Sequence, residues 1–187
     1  MNFRKTDTEV ETIEDRPSFP SFESHFEKHW DSIYRLLLRM LGDPAEAEDL
    51  ALEAFYRLYQ RRPKDEKGFN IGGWLYRVAT NLGLQSIRSF KRRQHYEMTA
   101  GKGIIEEAPE DRPAEMLAKE EEHQMARLAL AQMNPRQSQL LVLRYSGRTY
   151  QDIASALNLS PASIGPLLLR AEREFEKRYR ALAQEEP

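Results

Sequence analysis

The chain has 187 residues, of which 40% are hydrophobic and 31% charged, and its net charge is −2 at pH 7. This balance excludes a fibrous or disordered protein and provides enough apolar surface for one medium or two small domains. The chain has no cysteine, which excludes disulfides and thiolate metal sites, and no stretch approaches the roughly 20 apolar residues of a membrane-spanning helix.

Strong helix formers (Ala, Leu, Glu, Lys and Arg) dominate the composition and predict an all-α fold. The first predicted helix begins near Phe19, where apolar residues start to recur at steps of three and four, and it is predicted to end at Gly42. Residues 1–17 are polar and aperiodic, which predicts a flexible tail. They lack the apolar run of a signal peptide and predict no membrane insertion, so we expect a cytoplasmic protein.

A second helix is predicted to follow at once, with Asp43 as its N-cap, Pro44 as its first residue and Glu46 reaching back to the cap. One side of this helix is apolar and faces the core. The other side carries Glu46, Asp49 and Glu53 at spacing i, i+3, i+7, which predicts an acidic stripe that faces outward. Taken alone, the stripe is also compatible with an ordinary solvated helix face.

The second helix is predicted to end at Arg61-Arg62-Pro63, before a mobile loop over residues 64–73. A third helix is predicted from about Gly73 to Arg93. Its apolar side includes Trp74, for which packing is a more ordinary role than base stacking. A second line of side chains is polar and basic, at three- and four-residue steps: Arg77, Asn81, Gln85, Arg88 and Arg92. Four of the six residues from Arg88 to Arg93 are basic, which predicts a basic patch.

Periodicity disappears between residues 94 and 113, where glycines, prolines and acidic residues accumulate. From Glu106 to Glu122 there are eight acidic residues against two basic ones. Such a long stretch without structure is unusual inside one compact domain, so we place a domain boundary here. The predicted organisation is a tail at 1–17, a helical domain at 18–94, a flexible acidic linker at 95–113 and a second helical domain at 114–187.

The second half is predicted to contain a helix-turn-helix. Asn134-Pro135 and Thr149 are predicted to cap helices, Gly147 to end one, and Ser160-Pro161 to open a last helix that runs to about Leu182. The inward residues of the last two helices are Ile153, Ala154, Leu157, Ile164 and Leu168. A short helix, a turn of three or four residues and a capped second helix are typical of a helix-turn-helix, whose second helix enters the DNA major groove. An ordinary helical hairpin is the alternative.

No motif for catalysis or for a cofactor is present in the sequence. His25 and His29 have the i, i+4 spacing of a zinc-binding pair, but no carboxylate follows at metal-site spacing, so we predict no metal site. Nucleophile–base groupings and phosphate-binding loops are also missing. We therefore expect a protein that is not an enzyme and that uses no cofactor.

Three segments resemble one family, the extracytoplasmic-function (ECF) class of bacterial sigma factors. Residues 134–160, from NPRQ to YQDIASALNLS, resemble the carboxy-terminal domain of that class. LGDPAEAEDLALEAFYRLY (41–59) resembles the helix that holds the clamp of RNA polymerase. NIGGWLYRVATNLGLQSIRSFKRR (70–93) resembles the helix that recognises and opens the promoter −10 element. The resemblance covers about Phe22 to Tyr179, with the linker in the matching place.

The resemblance implies three sets of site residues. For core polymerase they are Glu46, Asp49, Leu50 and Glu53. For −10 DNA they are Asn70, Trp74, Arg77, Asn81, Arg88, Lys91, Arg92 and Arg93. For −35 DNA they are Thr149, Tyr150, Gln151, Ser160, Ala162, Ser163, Arg170 and Arg173. The implied partners are core RNA polymerase, promoter DNA and an anti-sigma factor.

The sequence departs from the family pattern at two places. The family commonly has a glutamine at the position of Leu52, and the start of the last helix lacks the Lys or Arg that relatives often place there. Pro166 lies inside that helix and is predicted to kink or loosen its first turns. We therefore expect −35 recognition through phosphate contacts, helix N-terminal amides and DNA shape.

Two other functions remain open from the sequence. A plain helix-turn-helix regulator would bind DNA without core polymerase. A sigma look-alike would only titrate an inhibitory partner, although such mimics usually carry a receiver domain for which 187 residues leave no room.

Overall fold

Seven helices make up the part of the chain that the computed structural model describes, which is residues 22–61, 69–99 and 114–185. They are α1 (Phe22–Leu41), α2 (Pro44–Arg61), α3 (Ile71–Thr99), α4 (Ala114–Gln132), α5 (Pro135–Tyr145), α6 (Tyr150–Leu157) and α7 (Pro161–Glu185). These ranges contain no strand, and the all-α prediction is confirmed. Several predictions fall outside the described residues. These are the helix start at Phe19, the tail at 1–17, most of the loop predicted over 64–73, and residues 100–113 of the predicted linker.

Local capping chemistry sets several helix ends as predicted. Gly42 and Gly147 end helices with φ of +76° and +84°, a conformation that costs glycine little because it has no Cβ. The Asp43 carboxylate accepts hydrogen bonds from the backbone amides of Ala45 (2.8 Å) and Glu46 (3.1 Å) at the start of α2. Asn134 accepts one from the Arg136 amide (3.0 Å) at the start of α5.

Two predicted helix ends and one cap contact are wrong. The third helix begins at Ile71 instead of Gly73 and continues to Thr99 instead of ending at Arg93. No glycine or proline occurs between Arg93 and Gly101, so no helix-breaking residue follows Arg93 although the apolar periodicity is lost there. Glu46 does not reach back to its cap, because its carboxylate accepts a hydrogen bond from the Ser86 hydroxyl on α3.

Pro166 does not interrupt α7, which is continuous from Pro161 to Glu185. Pro166 therefore does not break the helix, and the predicted kink or loosening of its first turns stays a prediction. Proline removes one hydrogen bond, to the carbonyl of Ala162, and Ala162 is exposed so that water can satisfy that carbonyl. The long helix on both sides of the proline keeps its other backbone bonds.

The first half packs as a three-helix bundle of α1, α2 and α3. Its core is centred on Phe55, which is 1% exposed and whose ring lies 4.8 Å from that of Phe26 and 5.9 Å from that of Trp30. In the second half α4, α5 and α6 pack on α7. The two groups also touch, because α3 contacts α4, α5 and α6.

Candidate functional site

The outward face of α2 is the surface predicted to hold core polymerase, and the structure places only part of the predicted set on it. Asp49 is exposed, and Glu53 is partly exposed with its carboxylate 2.7 Å from Arg57 Nε. Glu46 is instead turned toward Ser86, and Leu50 packs against the core. The acidic stripe is therefore shorter than predicted, because Glu46 is hydrogen-bonded to α3 and only Asp49 and Glu53 remain on the outward face.

Two apolar residues on the same face were not in the predicted contact set, although Leu52 was noted as a departure from the family pattern. Leu52 is 47% exposed and Tyr56 is 55% exposed, and they follow Asp49 at spacing i+3 and i+7. Residues at that spacing share one side of a helix. We define the α2 face as Asp49, Leu52, Glu53 and Tyr56. Their spacing from Asp49 was visible in the sequence, but only the orientation of α2 shows that these two apolar residues are exposed.

The start of α3 is held by Asn70, whose side-chain oxygen accepts a hydrogen bond from the Gly73 amide (2.8 Å). Trp74 lies one turn later and is buried, with its ring 6.2 Å from that of Phe69 and the Arg61 guanidinium 5.7 Å from its centre. Packing is therefore the role of Trp74 in this structure, and its ring is not presented at the surface.

Several polar residues of α3 are hydrogen-bonded to the second half of the chain. Asn70 donates a hydrogen bond to the Ser155 hydroxyl (2.6 Å) on α6, and Asn81 accepts one from Gln139 on α5. Arg88 Nε donates to the carbonyl of Ala131 (3.3 Å), near the end of α4 where the helix dipole favours a cation.

The basic end of α3 has a different setting. Arg92 and Arg93 are exposed, and Lys91 and Arg77 are half-buried. Arg92 also donates to the Ser89 hydroxyl (3.1 Å). The predicted −10 residues thus include a set hydrogen-bonded to the second half (Asn70, Asn81 and Arg88) and a basic cluster at Lys91, Arg92 and Arg93, of which Arg92 and Arg93 are exposed.

Arg148, in the loop between α5 and α6, contacts the first half. Its guanidinium lies 4.5 Å from the ring centre of the buried Tyr76, within cation–π range. Within the described residues, Arg148 Nε is buried without a hydrogen-bond partner. A cavity of about 230 Å³ beside it is lined by His29, Asn70, Tyr76 and Asp152, among others. This region is a polar contact between the two halves.

His29 is expected to make stability depend on pH. Burial lowers its pKa below the ordinary value of 6.5, and the positive charges of Lys28, His25 and Arg148 lower it further. As the pH falls, the unfolded chain therefore binds a proton at His29 at a higher pH than the folded chain does. Stability contributed by neutral His29 is full above about pH 6.5 and falls as the pH drops toward the lower folded pKa.

Thermal unfolding of the parent and of His29→Gln between about pH 7.5 and about pH 5.5 measures this dependence. The parent should lose melting temperature over this range, and His29→Gln should lose less. The control is His123→Gln, at an exposed histidine on α4, which should follow the parent. If His29→Gln shows the parent's full pH dependence, His29 is not its source.

The helix-turn-helix is closed by its own side chains. Thr149 caps α6 reciprocally: its hydroxyl accepts from the Asp152 amide (3.1 Å), and its amide donates to the Asp152 carboxylate (3.1 Å). The hydrogen bond from the Thr149 hydroxyl, together with that from its amide, lowers the pKa of Asp152. Asn158 makes the turn with φ of +54°. The inward residues predicted for both helices are all buried.

The predicted −35 residues lie at the start of α6 and along the outer side of α7. Gln151, Ser160, Ala162, Arg170 and Arg173 are exposed, whereas Ser163 is half-buried and its hydroxyl donates to the Ser160 carbonyl (2.7 Å). Tyr150 is 44% exposed, with the Arg144 guanidinium 5.4 Å from its ring centre. All of this set except Ser163 is therefore exposed, and Tyr150 on α6 lies beside α7, with its Cε2 3.7 Å from the position of a Cβ on Gly165.

The histidine pair of α1 and the composition of the helices bear on metal binding and on membrane insertion. The His25 and His29 rings are stacked with centres 6.3 Å apart, and the described ranges contain no group of three His, Cys, Asp or Glu residues that could hold a metal ion. Among the helices of the described ranges, none is long and apolar enough to cross a membrane.

Comparisons with known proteins match both halves. Sigma-70 region 2 matches residues 25–94, and the family described as Sigma-70, region 4 matches residues 123–175. The chain is 29% identical over 171 residues to the ECF RNA polymerase sigma factor SigE of Mycolicibacterium smegmatis, covering 86% of this chain and 62% of SigE. It is 44% identical over 70 residues to the ECF RNA polymerase sigma factor SigW of Bacillus subtilis, covering 37% of this chain and 36% of SigW.

A solved structure shares the fold. CnrH, in complex with the cytosolic domain of CnrY, matches with a TM-score of 0.52 at 13% identity, over 91% of this chain and 92% of CnrH. The chain spans less than two thirds of the length of SigE and of SigW.

A helical bundle that carries region 2, followed by a helix-turn-helix that carries region 4, defines a sigma factor of the sigma-70 type. The chain belongs to the ECF class of RNA polymerase sigma factors.

Proposed function

We propose that the chain binds core RNA polymerase and directs promoter-specific initiation of transcription in the cytoplasm, as a specificity factor and not as an enzyme. The observation that carries this proposal is the presence of region 2 and region 4 in order on one chain, each with its own exposed surface. We assign residues 18–94 to a polymerase-binding and −10 domain and residues 114–187 to a −35 domain. Residues 95–113 would join them, after a tail at 1–17.

The α2 face is the proposed contact with core polymerase. It combines the carboxylates of Asp49 and Glu53 with the exposed apolar surfaces of Leu52 and Tyr56. An aromatic side chain surrounded by charge is typical of a protein–protein interface, where burial supplies affinity and charge complementarity supplies specificity. A basic, partly apolar partner surface fits this face better than DNA does, because the carboxylates repel phosphate.

The polar and basic side of α3 is the proposed −10 surface. Asn70, Arg77 and Asn81 would provide hydrogen bonds to bases, and Trp74 would support them from the core. The Arg88–Arg93 cluster would contact phosphates, which position DNA but carry no sequence information. Single-stranded DNA is held by such a basic track together with pockets for bases.

The start of α6 and the outer side of α7 form the proposed −35 surface. In a helix-turn-helix the second helix lies in the major groove and the first crosses the backbone. Thr149, Tyr150 and Gln151 would therefore lie near phosphates. Arg170 and Arg173 are the first cations along α7.

The closed packing of the two halves bears on this function. Asn70, Asn81 and Arg88 are all hydrogen-bonded to the second half, so their use on DNA requires that these contacts be released. We infer that the halves separate when the chain joins core polymerase. An anti-sigma factor that covers both halves would be a further partner, which the exposed acidic and basic faces permit.

A reversible cross-link between the halves tests the separation. The chain has no cysteine, so Asn70→Cys/Ser155→Cys places the only two thiols at a contact that spans 2.6 Å in the parent. Cross-linking these thiols with a short, reductively cleavable bis-maleimide should reduce transcription at least about tenfold. A −10 surface that stays closed cannot contact bases, and a contact with one unpaired base contributes about 1–3 kcal/mol to binding. Cleavage should restore the activity of the same double variant. Full activity in the cross-linked state would contradict the separation.

Binding to core polymerase distinguishes the proposal from a plain regulator. The labelled full chain is titrated with purified bacterial core polymerase, and separately with the duplex upstream of its own gene, and both complexes are followed on native gels. We expect a complex with core polymerase and much weaker binding to the duplex without it. Tight duplex binding with no polymerase complex would support the regulator instead.

A further inference from the structure

The outward line of α7 is apolar over its first turns. The buried side of this helix carries Ile164, Leu168 and Ala171, and the residues opposite them are Ala162, Pro166 and Leu169 at spacing i, i+4, i+7. All three are exposed, and Leu169 is 50% exposed. We call these three residues the apolar line. They occupy the place on a recognition helix from which side chains reach base edges.

The apolar line lacks the groups that usually read bases. Arginine and lysine read guanine, and asparagine and glutamine read adenine, through paired hydrogen bonds in the major groove. None of these residue types occurs in α7 before Arg170, and Arg173 continues the line only after Leu169. Each of the four possible base pairs (A·T, T·A, G·C and C·G) presents a different edge in the major groove. The apolar group among these edges is the C5-methyl of thymine.

Residues beside the apolar line suit DNA and not an apolar protein surface. Arg170 and Arg173 extend beyond it, and Tyr150 with its stacked Arg144 lies alongside, with Tyr150 Cε2 3.7 Å from the position of a Cβ on Gly165. Thr149 and Gln151 add exposed polar groups at the start of α6. Cations and polar groups at the edges fit phosphates, while the apolar line between them fits the floor of the groove.

We propose that the apolar line recognises thymine methyl groups, so that Ala162, Pro166 and Leu169 make the chain selective for thymines at defined positions of the −35 element. This inference rests on the proposed function and names the chemistry by which its second DNA surface discriminates. Pro166 contributes by holding its apolar ring rigidly in the centre of the line, in a helix that remains continuous.

Replacement of thymine by uracil tests the inference, because uracil keeps every hydrogen-bonding group and removes only the methyl. The full chain is bound to core polymerase, its promoter is mapped by transcription, and duplexes with uracil at single −35 thymines compete for the holoenzyme. We expect about a four-fold loss of affinity for each contacted methyl. Uracil in the spacer between the two elements should have no effect.

A variant links the effect to the apolar line. Leu169→Ala should reduce the thymine–uracil difference at one position to less than about two-fold, since its own contribution to burying that methyl is removed. Gln184→Ala, an exposed change far along the same helix, should keep the parent's difference.

Several results would overturn the inference. A holoenzyme that selects its −35 element yet binds uracil and thymine duplexes within two-fold does not read methyl groups, and neither does one whose −35 element contains no thymine. A chain that forms no holoenzyme, or a holoenzyme with no promoter preference, removes the proposed function and this inference with it.

Discussion

An Asp49→Arg variant is expected to bind core RNA polymerase about 100-fold more weakly than the parent chain. Asp49 is exposed at the N-terminal end of the α2 face, one helical turn from Leu52 and Glu53. The surface of core polymerase that contacts this face is proposed to be basic. Reversal of the charge at Asp49 therefore removes one attraction and adds a repulsion between two cations. The loss should become smaller at high salt, since screening weakens both effects.

Fluorescence anisotropy of the labelled chain with increasing core polymerase measures this affinity. The matched control is Asp31→Arg, the same charge reversal at an exposed position on α1, where Asp31 pairs with Arg35. Surface pairs of this kind contribute little, so the control should change affinity by less than about five-fold. Equal weakening by both variants would show that net charge, and not the α2 face, governs binding.

A Phe55→Ala variant should lose about 3–5 kcal/mol of unfolding free energy. Phe55 is 1% exposed and packs on the rings of Phe26 and Trp30 between α1 and α2. Truncation removes these contacts and leaves a cavity, because the two helices that hold it cannot close the gap fully. A loss of this size approaches the whole stability of a small domain.

Urea denaturation followed by circular dichroism measures the change. Tyr56 is the neighbouring aromatic residue and is 55% exposed, so Tyr56→Ala should alter the unfolding free energy by only about 0.5 kcal/mol. The same Tyr56→Ala variant should bind core polymerase more weakly. The pair of variants thus separates the contribution of α2 to stability from its contribution to polymerase binding. An unchanged urea midpoint for Phe55→Ala would contradict the described core.

The features predictable from the sequence are those set by local chemistry. Asp43, Asn134 and Thr149 cap helices through side chains two or three residues from the amides they bind, so their roles follow from a few consecutive letters. The helix-turn-helix is similarly local, because its buried residues recur at helical spacing within 23 residues between Thr149 and Ala171. These elements needed no knowledge of the rest of the fold.

The features that were missed depend on distant parts of the chain. Glu46 leaves the acidic stripe because Ser86, 40 residues away, binds its carboxylate. Asn70 and Asn81 are covered by Ser155 and Gln139, which only the packing of the two halves brings near. Leu52 and Tyr56 needed the orientation of α2 against its neighbours, since exposed apolar residues and core residues look alike in a sequence.

The most direct measurement is multi-round transcription with purified bacterial core polymerase on a template that carries the region upstream of the protein's own gene. We predict a discrete start site that appears only when the chain is added and that is lost with Asp49→Arg. Core polymerase that initiates at no specific site in the presence of the folded parent chain, and does not bind it, would contradict the assignment of this chain as a promoter-specificity factor.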